Sequence, residues 1–203
     1  MANQACVTPH VWLSRTDKLD HPDQLVFDLD PSEDRFEPVK AAAQSLKELL
    51  DRLGLLAYLK TTGSRGLHVA VPLKRGEGFD SVRAIARNLT RILVVKQPRE
   101  RTLEARKSKR RGRVFVDTNR NAYAQTVAPA YAVPARRGAP VSTPLNWNEL
   151  ARQDLRPDGV TIRSVFDRLE KVGDCWADFG RRRVSLRGAR QKLEELNATR
   201  RVP

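Results

Sequence analysis

The sequence predicts an α+β domain with a mainly antiparallel sheet. Three observations carry that prediction: short apolar runs at 24–30, 55–62, 67–73 and 114–117, amphipathic stretches at 37–53 and 79–95 between them, and glycine-rich punctuation where the runs turn. The 203 residues suffice for a single domain with a sizeable core. The expected layout is a packed N-terminal segment over 1–23, a core over 24–150 and C-terminal helices within 151–203. Both central helices are expected on one sheet face.

Residues 1–23 are irregular, and Val11-Trp12-Leu13 marks a segment that packs. In Leu25-Val26-Phe27-Asp28-Leu29-Asp30-Pro31 the odd positions are apolar and two carboxylates alternate with them. A strand therefore buries Leu25, Phe27 and Leu29 and projects Asp28 and Asp30 side by side from the other face. Phe36, Val39, Ala43, Leu46, Leu50 and Leu53 recur at helical spacing, with Pro38 suited to the first turn and Gly54 to the stop. Two strands follow, joined by Gly63-Ser64-Arg65-Gly66, and Leu67, Val69 and Val71 alternate so that His68 faces away from the core. Phe79, Val82, Ala86, Leu89 and Leu93 mark the second helix. After the basic run, Val114-Phe115-Val116-Asp117 is a short apolar strand ending in a third carboxylate. Residues 118–148 carry no helical period and read as extended segments and loops. Two amphipathic helices are expected at 161–171, through Ile162, Val165, Phe166 and Leu169, and at 182–196, through Leu186, Ala189, Leu193 and Leu196.

Lysine and arginine outnumber aspartate and glutamate by 38 to 24, a formal charge of +14. That balance favours a polyanionic partner, nucleic acid first. Cys6 and Cys175 form no Cys-x-x-Cys pair, which argues against a disulfide framework or a zinc site and suits a cytoplasmic, reducing setting. No apolar stretch approaches the roughly 20 residues of a membrane span, so no membrane partner is expected.

Two carboxylates forced together repel unless a proton or a cation lies between them, which makes Asp28 and Asp30 a candidate divalent-metal site. Asp117, again at a strand end, can join them if the two strands share a sheet. Three convergent carboxylates are a ligand set for two-metal nucleotidyl transfer. Ser64, Arg65 and Gly66 form a turn that can approach a phosphate and donate to it, with His68 on the adjoining strand. The run Arg106, Lys107, Lys109, Arg110, Arg111 and Arg113 lies just before Asp117, where it can neutralise a nucleic-acid backbone. Trp147 and Trp176 are expected to pack.

Taken in order, Leu25-Val-Phe-Asp28-Leu-Asp30-Pro31, Thr62-Gly-Ser64-Arg-Gly-Leu-His68-Val, Arg113-Val-Phe-Val-Asp117, Arg120-Asn-Ala-Tyr-Ala-Gln-Thr126 and Gly138-Ala-Pro-Val-Ser-Thr-Pro144 resemble the signatures of the archaeo-eukaryotic primase superfamily. More narrowly, residues 5–196 are similar to the polymerase domain of bacterial ligase D and its stand-alone relatives. The resemblance implies an RRM-like catalytic core and a manganese- or magnesium-dependent polymerase that adds ribo- or deoxyribonucleotides to DNA 3' ends in non-homologous end joining, with Ku and a DNA ligase as associates. It assigns Asp28, Asp30 and Asp117 to metal, Ser64, Arg65, Gly66, His68 and Arg136 to the nucleoside triphosphate, and Arg110 to the loop that engages DNA termini. Three departures accompany it. The family's N-terminal nucleotide-holding module is expected to be missing, Pro134 stands where relatives carry an arginine, and Val127-Ala-Pro-Ala-Tyr131 is reordered. The alternatives are a truncated DNA-end-binding module with weak catalysis, and a phosphohydrolase of the haloacid dehalogenase type whose later acidic motif Gly173-Asp174-Cys-Trp-Ala-Asp178 would mimic.

Overall fold

The computed structural model describes residues 8–199; Cys6 lies outside them, as does the start of the expected N-terminal segment. The chain forms β1 (Val11–Trp12), β2 (Gln24–Asp30), α1 (Glu37–Arg52), β3 (Tyr58–Thr61), β4 (Leu67–Pro72), α2 (Phe79–Lys96), β5 (Arg101–Thr102), β6 (Val114–Asp117), β7 (Thr126–Val127), β8 (Pro144–Leu145), α3 (Val165–Val172) and α4 (Arg187–Thr199). Six strands make the main sheet in the order β5-β6-β2-β4-β3-β8, antiparallel except for the β5–β6 pair. β1 and β7 form a second, two-stranded sheet.

Alternation along each strand divides the two faces. Leu25, Phe27 and Leu29 of β2, Leu67, Val69 and Val71 of β4, Leu59 of β3 and Val114 and Val116 of β6 all enter one core with the apolar sides of α1 and α2. Val26 and Ala70 point the other way, into a smaller cluster with Leu13, Phe79 and Val127. Helices on one face leave Asp28, His68 and Asp117 on the other, as the period of two requires.

α1 starts with Pro38 in its first turn and stops at Gly54, whose φ of 72° and bonds Gly54 N–H to Asp51 O and Leu55 N–H to Leu50 O close the last carbonyls. Arg101 is 2% exposed, its guanidinium donating to Ala41 O, Ser45 Oγ and Leu93 O. It ties α1, α2 and the parallel edge together.

Three boundaries differ from the sequence reading. β3 covers only 58–61, because Leu55 and Ala57 are buried as an irregular lead-in and Thr62 already belongs to the turn. α3 begins at Val165, because Thr161 pairs with Pro140 and its N–H is taken by the Ser164 hydroxyl. Ile162 and Phe166 are thus exposed, and Val165 alone of the expected apolar set is buried. α4 starts at Arg187, yet Leu186, Ala189 and Leu193 pack into the main core. At the other end Leu13 is fully buried while Val11 and Trp12 stay about 40% exposed. Trp147 and Trp176 pack as expected, their indole N–H groups donating to Ala57 O and Leu59 O.

Candidate active site

Antiparallel pairing sets the register of the site. Asp28 of β2 stands opposite Asp117 of β6 on one side and His68 of β4 on the other, and His68 stands opposite Lys60 of β3. Directly opposed residues share a face with Cβ atoms about 5 Å apart, so Asp117, Asp28, His68 and Lys60 form one row across the sheet. Asp30, two residues on from Asp28, shares that face and stands opposite Phe115. The three carboxylates named from the sequence therefore share one face of the sheet, Asp28 and Asp117 as a direct cross-strand pair.

Electrostatics along the row are uneven. Burial pushes the Lys60 ammonium down to about 7, with Asp28 opposing, and its Nζ donates to Ser142 Oγ at 2.6 Å. Burial, then Lys60, depresses His68, which keeps the imidazole neutral at pH 7; its Nε2 lies 3.5 Å from Asp28 Oδ1. Burial and the neighbouring Asp28 raise Asp117, against a bond at 2.7 Å from Asn119 N–H to its Oδ1. Burial opposes the Asp28 charge as well, but His68 holds that carboxyl below its ordinary value. Two facing carboxylates, one already pushed toward protonation, form a donor pair whose mutual repulsion a divalent cation would relieve.

Asp30 is differently placed. Its Oδ2 accepts from Arg110 Nη1 at 2.7 Å, and Arg65 Nη2 lies 3.7 Å from its Oδ1. Arg110 is 6% exposed, lies over the Phe115 ring and also donates to Glu104 O and Ala105 O. It is thus a partner of the site and is turned inward, away from the solvent a DNA strand would approach through. Arg113 is likewise spent within the loop, on Arg110 O, Pro98 O and Lys109 O. Arg106, Lys107, Lys109 and Arg111 remain exposed. Asp28 and Asp117 fit a metal as they stand, whereas the Asp30 charge is met by Arg110. Accordingly, no group of three or more metal-ligating side chains is assembled among the described residues.

Thr62 builds the turn that carries Ser64 and Arg65. Its hydroxyl accepts from Ser64 N–H and Gly66 N–H and donates to Gly66 O. Gly63 adopts a φ of 67°, and Gly66 packs so tightly on Leu29 O that any Cβ would collide with it. A cavity of about 330 Å³ opens over this turn and the carboxylates, lined by Asp28, Asp30, Ser64, Arg65, His68 and Arg120. Arg136 is not among its walls; it reaches the turn from a neighbouring cleft that shares Ser64 and Arg65.

Lys60, Arg120 and Asn121 were not singled out from sequence. Lys60 could have been found by counting outward from the turn, since it pairs with His68. Arg120 follows Asp117 by three residues and lines the cavity. Asn121 is buried, and its amide satisfies Val26 N–H and Val26 O where β6 has ended, fixing the chain just past Asp117. Asp174 and Asp178 accept from Tyr131 and Tyr58 hydroxyls, which accounts for them without a phosphohydrolase motif.

Comparison with known proteins decides the family: the LigD primase-polymerase domain matches residues 1–176. The chain belongs to the LigD primase-polymerase domain family. The multifunctional non-homologous end joining protein LigD of Pseudomonas aeruginosa is 37% identical over 190 residues, 90% of this chain and 22% of that protein. LigD of Mycolicibacterium smegmatis is 32% identical over 87% of this chain and 23% of its own length, and the bifunctional LigD of Bacillus subtilis 30% over 89% and 30%. The chain thus spans between about a fifth and a third of these relatives. The solved polymerase domain of Mycobacterium tuberculosis ligase D, in complex with DNA, superposes with a TM-score of 0.76 at 28% identity, over 88% of this chain and 62% of that one. Its likeness to this LigD-type fold agrees with the expected α+β class. α4 lies beyond the family match yet contributes to the core. No helix among the described residues is long and apolar enough to cross a membrane.

Proposed function

We propose that the chain is a DNA-end nucleotidyltransferase of the ligase D type, extending a DNA 3' end with nucleotides during end joining. The observation that carries this reading is the direct cross-strand pairing of Asp28 with Asp117, flanked by Asp30 and by a turn offering Ser64 and Arg65. Asp28 and Asp117 would hold a manganese or magnesium ion, with Asp30 as third ligand once Arg110 releases it. When bound, such an ion supplies Lewis acidity toward the 3'-hydroxyl and the phosphoryl group.

The chain's own residues do the rest. Ser64 Oγ and the Arg65 guanidinium donate to the β- and γ-phosphates, and Gly66 lets the turn sit against β2 so that these donors reach over Asp30. His68, neutral and almost closed to solvent, orients Asp28 through its Nε2. Arg120 places a further cation on the cavity wall. The exposed cations Arg106, Lys107, Lys109 and Arg111 would meet the DNA backbone, so binding should weaken steeply with salt. Ku and a ligase as associates, and a cytoplasmic setting, follow from the end-joining role and belong to the same proposal.

Replacing one ligand tests it. Asp28→Ala should abolish manganese-dependent incorporation of labelled nucleotide into a primer while leaving DNA retention in a gel shift intact. Equal incorporation by variant and parent would remove Asp28 from the chemistry. A DNA-end-binding module with weak catalysis is favoured by one observation, the Arg110 guanidinium on Asp30. A parent chain that shifts DNA but never extends the primer supports that second reading.

A further inference from the structure

Beside the carboxylate cavity, across the Ser64-Arg65 ridge, lies a larger cleft of about 650 Å³ that the chemistry above leaves unused. Its walls carry four guanidinium groups, Arg35, Arg65, Arg136 and Arg156, against two carboxylates, Asp34 and Asp158. The positive end of α1 adds to this, because the helix begins at the cleft-lining Phe36 with no side-chain cap. Two of the four arginines are lightly held. Arg35 pairs with Glu33 at 3.0 Å and Arg156 with Asp158 at 3.3 Å, in pairs whose side chains are 65%/53% and 73%/40% exposed. Exposed pairs of this kind are weak, so either guanidinium can turn to a phosphate at little cost.

The two cavities have a common wall, and the excess of cationic groups lies on the side of the second. Asp28 and Asp30 line the first, Ser64 and Arg65 belong to both, and the charged groups beyond are Arg35, Arg136 and Arg156 with Asp34 and Asp158. Nucleotidyl transfer forms a bond from the 3'-oxygen to the α-phosphorus and breaks the bridge from the α-phosphorus to the β-phosphate oxygen. That oxygen keeps the electron pair, and the 3'-hydroxyl proton passes to solvent. The leaving group is inorganic pyrophosphate, a multiply charged anion that starts at Ser64 and Arg65. We propose that this cleft receives the pyrophosphate and holds it through Arg35, Arg136 and Arg156 before release. The direction of transfer rests on the polymerase reading; the anion site itself rests on the cleft.

Isothermal titration of inorganic pyrophosphate into the metal-free full chain separates the two. Arg35→Gln combined with Arg156→Gln should weaken binding about tenfold or more, charged donors to phosphate being strong ones. Arg35→Lys with Arg156→Lys should restore most of it, which a folding defect would not allow. In primer extension the glutamine pair should leave single-turnover incorporation unchanged and raise the pyrophosphate concentration needed for product inhibition by a similar factor. Equal pyrophosphate affinity in parent and glutamine pair overturns the proposal, as does a cleft that takes a 5'-phosphorylated oligonucleotide but no pyrophosphate. A chain that binds pyrophosphate through these arginines yet incorporates nothing retires the polymerase reading and leaves the diphosphate site standing.

Discussion

A lysine ammonium 3% exposed is costly to keep charged, and Lys60 carries that cost next to His68. With its pKa pushed down to about 7 from 10.5, the folded protein releases this proton around neutrality while the unfolded chain keeps it until about pH 10.5. Between those values the unfolded state binds more protons, so stability rises with pH across that window and is flat in this group below it. Lys60→Met should remove the rise, with a difference between variant and parent of order 4 kcal/mol at pH 7 that shrinks toward pH 10. Denaturant unfolding at several pH values checks it; identical pH slopes in both proteins would contradict the depressed ammonium. Asp28 and Asp30 were legible in the sequence because a period of two leaves no choice of face. Lys60 was not, because its place depends on which residue the turn makes its partner, and β3 proved shorter than its apolar run. Arg110 shows the converse: a basic run reads as facing a nucleic-acid backbone until packing reveals that one member is folded back onto a carboxylate.

At the scale of elements, the β3–β4 turn joins fold and site. Thr62 closes it with three hydrogen bonds, and Gly66 sets it directly on the β2 backbone at Leu29, one residue from Asp30. Gly66→Ala should therefore push turn and strand apart, costing about 3 kcal/mol in thermal or denaturant unfolding, since backbone cannot yield as a flexible side chain can. A variant as stable as the parent would mean that the close approach is not required. The helices show which sequence signals suffice. α1 has a proline at its start, a glycine at its stop and a continuous apolar stripe, and its bounds were legible to within a residue. α3 has the same stripe on paper, but Thr161 N–H is taken by the Ser164 hydroxyl, Thr161 pairs with Pro140 and Ile162 N–H bonds Ala139 O, so the helix is delayed to Val165. Local polar competition overrode periodicity there.

For the whole molecule, the formal charge is +14, and two cavities divide some of its charged groups between them. Carboxylates gather on the open sheet face over β2 and β6, and guanidinium groups line the cleft beyond the Ser64-Arg65 ridge. The main core of α1, α2 and the sheet supports both, and Leu186 with Ala189 and Leu193 of α4, past the end of the family match, completes it. Sequence motifs named the family and the proposed ligand residues because they lie on strands whose pairing is fixed by burial. The cleft stayed hidden because its arginines come from four separate loops and turns. The proposed function depends on Asp28 and Asp117 sharing a divalent cation. The most direct measurement is anomalous diffraction from a crystal of this chain soaked with manganese and a non-hydrolysable nucleoside triphosphate. A peak within coordination distance of both carboxylates, roughly 2.1 Å for a small hard cation, is the predicted result. Manganese bound elsewhere, with the Asp28–Asp117 pair empty, would contradict it.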